Sequence, residues 1–241
     1  TPALNLTNNY TFEAWVNQKA PTVYGRLLDK STALVFIHND SNLSIYKENS
    51  LVVSITTSTG SYVINTAANS IKQKTWHHIA YTVSAANIYK VYIDGVEVAY
   101  TSTGTAGAAS SNASAAAYIG NNAGLARGLN GNIDEVRIWA GVRSQATLNA
   151  TATTRYIGNE PGLLAYYPFS EGNKQFVFDR TLSDNTAIVT NADTEGLGEG
   201  KFWNVPVLMQ TLEFADQLSS SYDAVTKTYT VVLNDGVDIT N

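Results

Sequence analysis

Short runs in which apolar and polar residues alternate recur along most of the chain. In residues 10–17, Tyr, Phe, Ala and Val occupy every second position, with Thr, Glu, Trp and Asn between them. A period of two is typical of a β-strand whose side chains point alternately to its two faces. Further strands are predicted at residues 34–38, 43–46, 51–56, 61–65, 77–83, 117–120, 133–139, 163–169, 186–190 and 229–233.

Turn signals separate these runs at short intervals. In residues 89–100, Asp94 and Gly95 stand between alternating apolar residues. This dipeptide favours a tight hairpin turn with positive φ angles. Many short strands at spacings of about 8–12 residues predict an all-β fold, a two-sheet antiparallel β-sandwich.

A helix is predicted only once, over residues 144–152, where Ser144 can serve as N-cap. Residues 101–117 (TSTGTAGAASSNASAAA) predict a flexible loop, because their serines and glycines compete with helical hydrogen bonding. The composition changes around Pro206. We therefore expect residues 1–206 to form the sandwich and residues 207–241 to form a C-terminal tail.

The composition excludes several classes of protein. Only 15% of the 241 residues are charged, against about 25% in an average soluble protein, while 10% are aromatic. A disordered chain would be low in aromatic residues and high in charge, and a coiled coil would need Glu, Lys and Leu in heptads. A net charge of −5 argues against nucleic acid as a partner. The sequence contains no apolar run of about 18 residues, which insertion into a membrane would require. The absence of cysteine excludes disulfides and thiolate-bound metals.

Catalytic patterns are missing from the predicted strands. Glycoside hydrolases built on β-sandwiches place carboxylates at alternate positions of one strand, so that an acid and a nucleophile share a face. Here Asp134 and Glu135 are adjacent and point to opposite faces, and Glu13 is alone on its strand. We interpret the chain as not an enzyme, and Glu13, Glu135 and Arg137 as an ion-pair network across a sheet.

Four stretches carry a distinctive set of motifs: residues 10–16 (YTFEAWV), 75–98 (TWHHIAYTV…YKVYIDGVEV), 118–143 (YIGNNAG…LNGNIDEVRIWAGVR) and 162–172 (GLLAYYPFSEG). Together they resemble the laminin-G-like or concanavalin-A-like jelly roll, in its bacterial surface-protein branch, over roughly residues 5–205. The resemblance implies two antiparallel sheets packed face to face. It also implies a domain that binds glycans or proteins, often with a calcium ion.

One departure from the family pattern concerns the two ends of the sequence. In the family, a strand similar to LNFDG-x-D-x-V normally precedes the position equivalent to residue 1. A similar string, VLNDGVDI, occupies residues 232–239. Either the tail supplies this strand, to its own fold or to a neighbouring repeat, or the string is an Asp-Gly turn in a linker.

Calcium is the cofactor that the resemblance and the acidic loops predict. Calcium prefers six to eight oxygen ligands. Asp134 lies at the predicted start of a strand, where its carboxylate can face a loop. Asp179 precedes the loop 180–185 (RTLSDN), in which Asp184 and Asn185 offer further oxygens. The alternative is that Asp134 and Asp179 cap turns by accepting hydrogen bonds from backbone N–H groups.

The candidate ligand-binding residues lie in predicted loops. A sugar has apolar and hydroxyl-bearing surfaces, which fit an aromatic ring beside polar side chains. Ordinary loop chemistry is the alternative for each of them. The candidates are Tyr24, Arg26, His38, Asn39, Asp40, Asn42, Asn121, Asn122 and Arg127.

These observations together predict a non-catalytic recognition module. We expect it to be extracellular or displayed at a cell surface, to bind a glycan or a cell-surface protein, and to work beside other domains of a longer chain. Two alternatives remain open. One is a structural or protein-binding spacer of a surface adhesin, and the other is an ancillary domain of a secreted hydrolase.

Overall fold

Two six-stranded antiparallel sheets form the body of the protein in a computed structural model. It describes residues 4–39, 46–170, 176–183, 185, 187–188, 217–223, 228–233 and 238–240. In spatial order, the first sheet contains β12 (Leu163–Tyr167), β11 (Gly131–Ala140), β1 (Tyr10–Gln18), β6 (Trp76–Val83), β7 (Tyr89–Ile93) and β8 (Val96–Val98). The second sheet contains β10 (Tyr118–Ile119), β2 (Gly25–Lys30), β3 (Ala33–His38), β4 (Ser50–Thr57), β5 (Gly60–Thr66) and β9 (Tyr100–Thr103).

Smaller elements complete the chain. The helix α1 (Gln145–Thr151) follows β11, and β13 (Phe176–Val177) pairs with β14 (Ala187–Ile188). The chain divides into two compact units between residues 204 and 205. The second unit contains an antiparallel meander of β15 (Gln217–Asp223), β16 (Thr228–Leu233) and β17 (Asp238–Thr240). In the part of the chain that the structure describes, no helix has the length and hydrophobicity of a membrane span.

The predicted all-β sandwich with one short helix is confirmed, and its core follows the alternation of the strands. Tyr10, Phe12, Ala14 and Val16 of β1 point between the sheets, where they meet Val35 and the other inward residues of the second sheet. Burying each of these larger apolar side chains contributes about 1.5–3 kcal/mol. The two local predictions also hold. Asp94 and Gly95 have φ angles of 52° and 76°, and Ser144 caps α1 by accepting a hydrogen bond from the Thr147 N–H at 3.1 Å.

The outer face of the first sheet is buried too, because the chain around α1 covers it. Leu148 of α1 packs on Ala80 and Tyr92. The indole Nε1 of Trp15 donates to the carbonyl oxygen of Ala152 at 2.7 Å. The outward side chains of β1 are therefore enclosed, although their alternation with apolar residues is that of a strand with one face in solvent.

Charged side chains lie in this enclosed layer and form the predicted ion-pair network. Glu13 and Arg137 are both 0% exposed. Arg137 Nη2 donates to Glu135 Oε2 at 2.7 Å, and its Nη1 lies 3.8 Å from Glu13 Oε2. Glu13 also accepts hydrogen bonds from Trp139 Nε1 at 2.6 Å and from His78 Nε2 at 3.1 Å. Burial alone would raise the pKa of Glu13, but the His78 hydrogen bond and the Arg137 charge outweigh it and lower that pKa.

Two segments that the sequence predicts as loops are partly strands. Residues 25–30 form β2, whose alternation is hidden by a register shift between Arg26 and Leu28 against β3. The first residues of the predicted flexible loop 101–117 belong to β9, which pairs with β5. Of the predicted strand 43–46, residues 43–45 lie outside the described residues.

The rest of the 101–117 segment is fastened by a buried asparagine. Asn112 is 2% exposed. Its side chain accepts from the Leu6 N–H at 2.8 Å and donates to the Leu6 carbonyl at 3.1 Å and to Thr32 Oγ1 at 3.0 Å. The segment is thus fixed to the start of the chain and to the β2–β3 turn.

Replacing this asparagine by alanine should destabilise the sandwich. Asn112→Ala leaves the buried N–H and C=O of Leu6 without these partners, which costs roughly 2–4 kcal/mol. Chemical denaturation of the full chain measures the loss, with Asn159→Ala, at an exposed position, as the control. An Asn112→Ala variant as stable as the control would contradict the anchoring role.

Candidate functional site

An aromatic cluster covers part of the outer face of the second sheet. Val35 and Ile37 of β3 point into the core, so Phe36 and His38 point outward. The Tyr24 ring lies 5.7 Å from the Phe36 ring and 5.1 Å from the His38 ring, measured between centroids. Edge-to-face and tilted contacts of this length are favourable. The outward residues of β3 thus lie at the base of a ring cluster.

Tyr46 completes this cluster, which we call the aromatic cluster: Tyr24, Phe36, His38 and Tyr46. Its ring lies 4.7 Å from His38, 5.7 Å from Phe36 and 5.8 Å from Tyr24. Phe36 and His38 are buried beneath the two partly exposed tyrosines. Burial, and after it the neighbouring Tyr24, raise the pKa of the Tyr46 hydroxyl. The hydroxyl therefore stays a neutral donor at physiological pH.

Two arginines stack on the cluster. The Arg127 guanidinium carbon lies 4.3 Å from the centre of the Tyr24 ring, and that of Arg26 lies 4.7 Å from the centre of Phe36. Both distances are within the range of cation–π attraction. Arg26 Nε also donates to Asp29 Oδ2 at 3.1 Å. The stacked arginines hold donor groups beside the rings in fixed orientations.

The loop 121–127 positions Arg127. Asn121 Oδ1 accepts hydrogen bonds from the backbone N–H groups of Asn122 and Arg127 at 2.9 and 3.0 Å. Asn122 Oδ1 accepts from the Ala126 N–H at 2.9 Å, and Arg26 N–H donates to the Arg127 carbonyl at 2.9 Å. The two asparagines, candidates for direct ligand contact, thus have their side-chain oxygens engaged in holding the loop and place Arg127 against Tyr24.

The backbone around Tyr24 is strained. Tyr24 has a φ of 63°, in the left-handed region that a bulky side chain avoids at a cost of about 1–2 kcal/mol. A Cβ atom at Gly25 would collide with Thr22 Oγ1, so a larger residue there would require the Thr22 side chain to move. Strain of this kind persists where the surrounding structure imposes it, and it occurs often at functional sites.

Buried polar atoms without partners lie next to the cluster. Within the described ranges, Thr22 Oγ1, Arg26 Nη1 and Asn39 Oδ1 are buried and have no hydrogen-bond partner. Asn39 Nδ2 donates to the Thr22 carbonyl at 3.4 Å, which places these two residues side by side. Buried polar groups are usually satisfied, so these three atoms have hydrogen-bonding capacity that an ordered water can meet. The other candidates nearby, Asp40 and Asn42, lie outside the described residues.

The site therefore combines five sequence candidates with three residues that sequence reasoning missed. Tyr24, Arg26, His38, Asn39 and Arg127 come together, although Arg26 lies in β2 and His38 in β3 and not in loops. The missed residues are Thr22, Phe36 and Tyr46. Phe36 could have been found from the alternation in residues 34–38, which places it on the same face as His38 and opposite Val35.

Asp179, a predicted calcium ligand, binds its own loop. Its Oδ1 accepts from the backbone N–H groups of Tyr166 and Thr181, both at 3.0 Å, and from the Thr181 hydroxyl at 2.9 Å. Its Oδ2 accepts from Asn185 N–H at 3.2 Å and from Asn185 Nδ2 at 3.3 Å. Asp184 lies outside the described residues. Among those described, no three His, Asp or Glu side chains form a group that could hold a metal.

Asp134 lies inside β11 and not at its start, because the strand already begins at Gly131. The side chain is 3% exposed, and its Oδ1 accepts from the Glu135 N–H at 2.9 Å. Burial, and after it the neighbouring Glu135 carboxylate, raise the pKa of Asp134 to about 8. The acid is thus mostly protonated at neutral pH.

This raised pKa should make the stability of the protein fall as the pH rises. Between about pH 4 and pH 8 the folded state keeps a proton on Asp134 that the unfolded chain releases, so Asp134→Asn should gain stability relative to the wild type across this window. The gain should vanish near pH 4 and reach roughly 2–4 kcal/mol at pH 8, measured by denaturation. A stability gain of Asp134→Asn that does not change with pH, or an equal gain in the control Glu48→Gln at an exposed position, would refute the prediction.

The comparisons with known proteins agree with this architecture. A family model described as the concanavalin A-like lectin/glucanases superfamily matches residues 1–149. No curated protein matches the chain. Among solved structures, a protein of Bacteroides ovatus, provisionally described as carbohydrate-binding, is 19% identical and has a TM-score of 0.61. The match covers 80% of this chain and 56% of that one, so this chain spans little more than half of its length.

A second similar structure is domain 4 of AbnA, an extracellular arabinanase of Geobacillus stearothermophilus, solved with arabinotriose. It is 22% identical over 62% of this chain and 69% of that one, with a TM-score of 0.46. Identities this low report on fold alone, whereas the family model covers more than half of the sequence. With its two antiparallel sheets and the matched motifs, the chain belongs to the concanavalin A-like lectin/glucanase superfamily.

Proposed function

We propose that the protein is a non-catalytic module that binds carbohydrate at the aromatic cluster on the second sheet. The observation that carries the proposal is the stacking of Arg26 and Arg127 on the rings of Phe36 and Tyr24. Buried oxygen atoms of Thr22 and Asn39 without hydrogen-bond partners lie beside them. A sugar ring offers C–H faces to aromatic rings and hydroxyls to fixed donors and acceptors. The membership in a superfamily of lectins and glucanases supports this ligand class.

The position of the carboxylates supports a role without catalysis. A retaining glycosidase needs two carboxyl groups about 5 Å apart that flank the bond to be cleaved. In the described chain, Glu13 and Glu135 are 0% and 2% exposed beneath the α1 segment and are bound to Arg137. Asp29, the acid beside the cluster, is bound to Arg26. None of these groups is placed to attack a sugar from solvent.

We further infer that the module works outside the cell or at its surface, as one domain of a longer protein. The similarity to a Bacteroides ovatus protein provisionally described as carbohydrate-binding, of which this chain spans 56%, supports a multidomain setting. A cell-surface protein as the partner, or a spacer role without ligand, would leave the cluster without affinity for glycans, so the binding experiment below separates these functions.

Removal of the Tyr24 ring should abolish glycan binding without unfolding the protein. Tyr24→Asn suits this test, because asparagine tolerates the left-handed backbone conformation better than tyrosine does. On a glycan array followed by calorimetry, Tyr24→Asn and Arg127→Gln should each weaken binding to the selected glycan at least about tenfold, the size of one lost contact of about 1.4 kcal/mol.

A matched control uses a partly buried aromatic residue of the other sheet. Trp76 lies at the start of β6, so Trp76→Ala should leave the affinity unchanged. If no glycan binds, or if the glycan binds equally to Tyr24→Asn and the wild type, the proposed site is wrong.

The predicted calcium ion remains open to a direct test. A structural ion would raise the melting temperature in calcium over that in chelator, because ligands that bind only the folded state stabilise it. The hydrogen bonds of Asp179 to its own loop favour identical melting curves instead. An increase of several degrees that Asp134→Asn or Asp179→Asn removes would establish the ion and overturn that expectation.

A further inference from the structure

The loop 121–127 carries an apolar tip on the surface of the protein. We call residues 123–126 (AGLA) the loop tip; all four are exposed, and Leu125 is 40% exposed. The polar side chains of the loop, Asn121 and Asn122, direct their amide oxygens to backbone N–H groups of the loop itself. The loop therefore uses its polar side chains for its own structure and presents aliphatic groups to solvent.

Leu125 also has an unfavourable backbone conformation. Its φ is 55°, in the left-handed region that glycine and asparagine accept more readily than a leucine does. The conformation is imposed by the turn, in which the Leu125 N–H donates to the Asn122 carbonyl and the Ala126 N–H to Asn122 Oδ1, both at 2.9 Å. Neither this backbone nor the exposure of the side chain stabilises the fold, so a leucine here is suited to contact with a partner.

A second aliphatic side chain lies on the segment that faces this loop. Val23 is 46% exposed and directly precedes Tyr24. The loop tip directly precedes Arg127, whose guanidinium carbon lies 4.3 Å from the centre of the Tyr24 ring. The backbones are joined as well, because the Arg26 N–H donates to the Arg127 carbonyl at 2.9 Å. Val23 and Leu125 thus belong to the two segments that meet at this stack, and they add aliphatic surface at the edge of the aromatic cluster.

The size of this surface limits what it can bind. A stable protein interface buries about 800 Å² on each partner. Two aliphatic side chains that are less than half exposed, beside the small residues of the loop tip, present far less. A surface of this size suits a single alkyl chain. Because it continues the aromatic cluster, the chain is expected on the same molecule that occupies the cluster.

We propose that Val23 and Leu125 contact the alkyl aglycone of a glycolipid whose sugar occupies the aromatic cluster. This inference rests on the proposed function, since the sugar brings the chain to the loop tip. An aglycone joined at the anomeric carbon leaves the other hydroxyls free for Arg26 and Arg127, whereas an acyl ester removes one of them. Each methylene group that is buried at the loop tip adds to the affinity that the sugar alone provides.

Two probes with the same sugar test the proposal: methyl β-D-glucopyranoside and hexyl β-D-glucopyranoside, the latter below its critical micelle concentration. In a two-dimensional NMR titration of the full chain, the hexyl glucoside should shift the amides of residues 22–24 and 123–127. It should bind at least about tenfold more tightly than the methyl glucoside, because each buried methylene contributes about fourfold.

Variants of the two aliphatic residues should change this ratio of affinities without unfolding the protein. Leu125→Asn, which suits the left-handed backbone, should remove most of the ratio and leave the affinity for the methyl glucoside unchanged. Val23→Thr, which keeps the shape of the side chain, should lower the ratio as well. The matched control is Ile88→Asn, at an aliphatic side chain that is 60% exposed before β7, and it should leave the ratio unchanged.

Any of three results would overturn the inference. The hexyl glucoside could leave the amides of the loop tip unshifted, the two glucosides could bind equally, or Leu125→Asn could keep the full ratio. A fourth probe, methyl 6-O-hexanoyl-β-D-glucopyranoside, carries the chain as an ester. Tighter binding of this ester than of the hexyl glucoside would exclude a glycolipid and indicate an acylated polysaccharide.

Failure of the proposed function gives a different result. In that case Tyr24→Asn changes the affinity for neither glucoside, and 1-hexanol, which has no sugar, shifts the loop tip as strongly as the hexyl glucoside does. If the proposed function holds and only the aglycone contact is wrong, Tyr24→Asn weakens the binding of both glucosides equally, and the two bind the wild type with the same affinity.

Discussion

The buried contact between Glu13 and Arg137 is the constraint on which the organisation of the first sheet depends. Both side chains are inaccessible to solvent, and neither charge could remain there alone, because an isolated buried ion costs several kcal/mol. Arg137 also donates to the carbonyls of Thr151 at 3.0 Å and Thr154 at 2.6 Å, so satisfying its charge requires the end of α1 and the following turn to cover the sheet. One arginine thereby links the packing of strands, helix and turn, and through Glu135 it fixes the Tyr166 side chain.

The two outer faces of the sandwich therefore differ in what covers them. The chain closes the first face with its own helix and turn, whereas on the second face the outward residues Phe36 and His38 are covered by Tyr24 and Tyr46, which remain partly exposed. The exposed parts of the Tyr24 and Tyr46 rings present an apolar surface for a partner at this place. The recognition that we propose at the second sheet follows from this asymmetry.

The sequence predicts those parts of the fold that depend on local pattern. The alternation of residues 10–17, the Asp94 and Gly95 turn and the Ser144 cap each determine the structure of a few residues, and each is confirmed. β2 was missed because the strand does not alternate in sequence. At its register shift, between Arg26 and Leu28, the neighbouring residues Leu27 and Leu28 are both buried. The role of Asn112 could not be predicted either. Its partners Leu6 and Thr32 lie 106 and 80 residues away in the sequence, and only the tertiary fold brings them near.

Arginine, and not lysine, supplies the positive charge beside the aromatic cluster, and the geometry gives a reason. A guanidinium stacked on a ring is attracted through its face, while its N–H groups point outward from its edge and stay available to a ligand. Arg127 on Tyr24, at 4.3 Å, and Arg26 on Phe36, at 4.7 Å, are held in this way before a ligand arrives. Side chains that are already ordered lose less conformational entropy on binding. Stacked arginines thus allow a protein with few charges to offer directional donors at a small entropic cost, which suits the weak and numerous hydrogen bonds of a sugar.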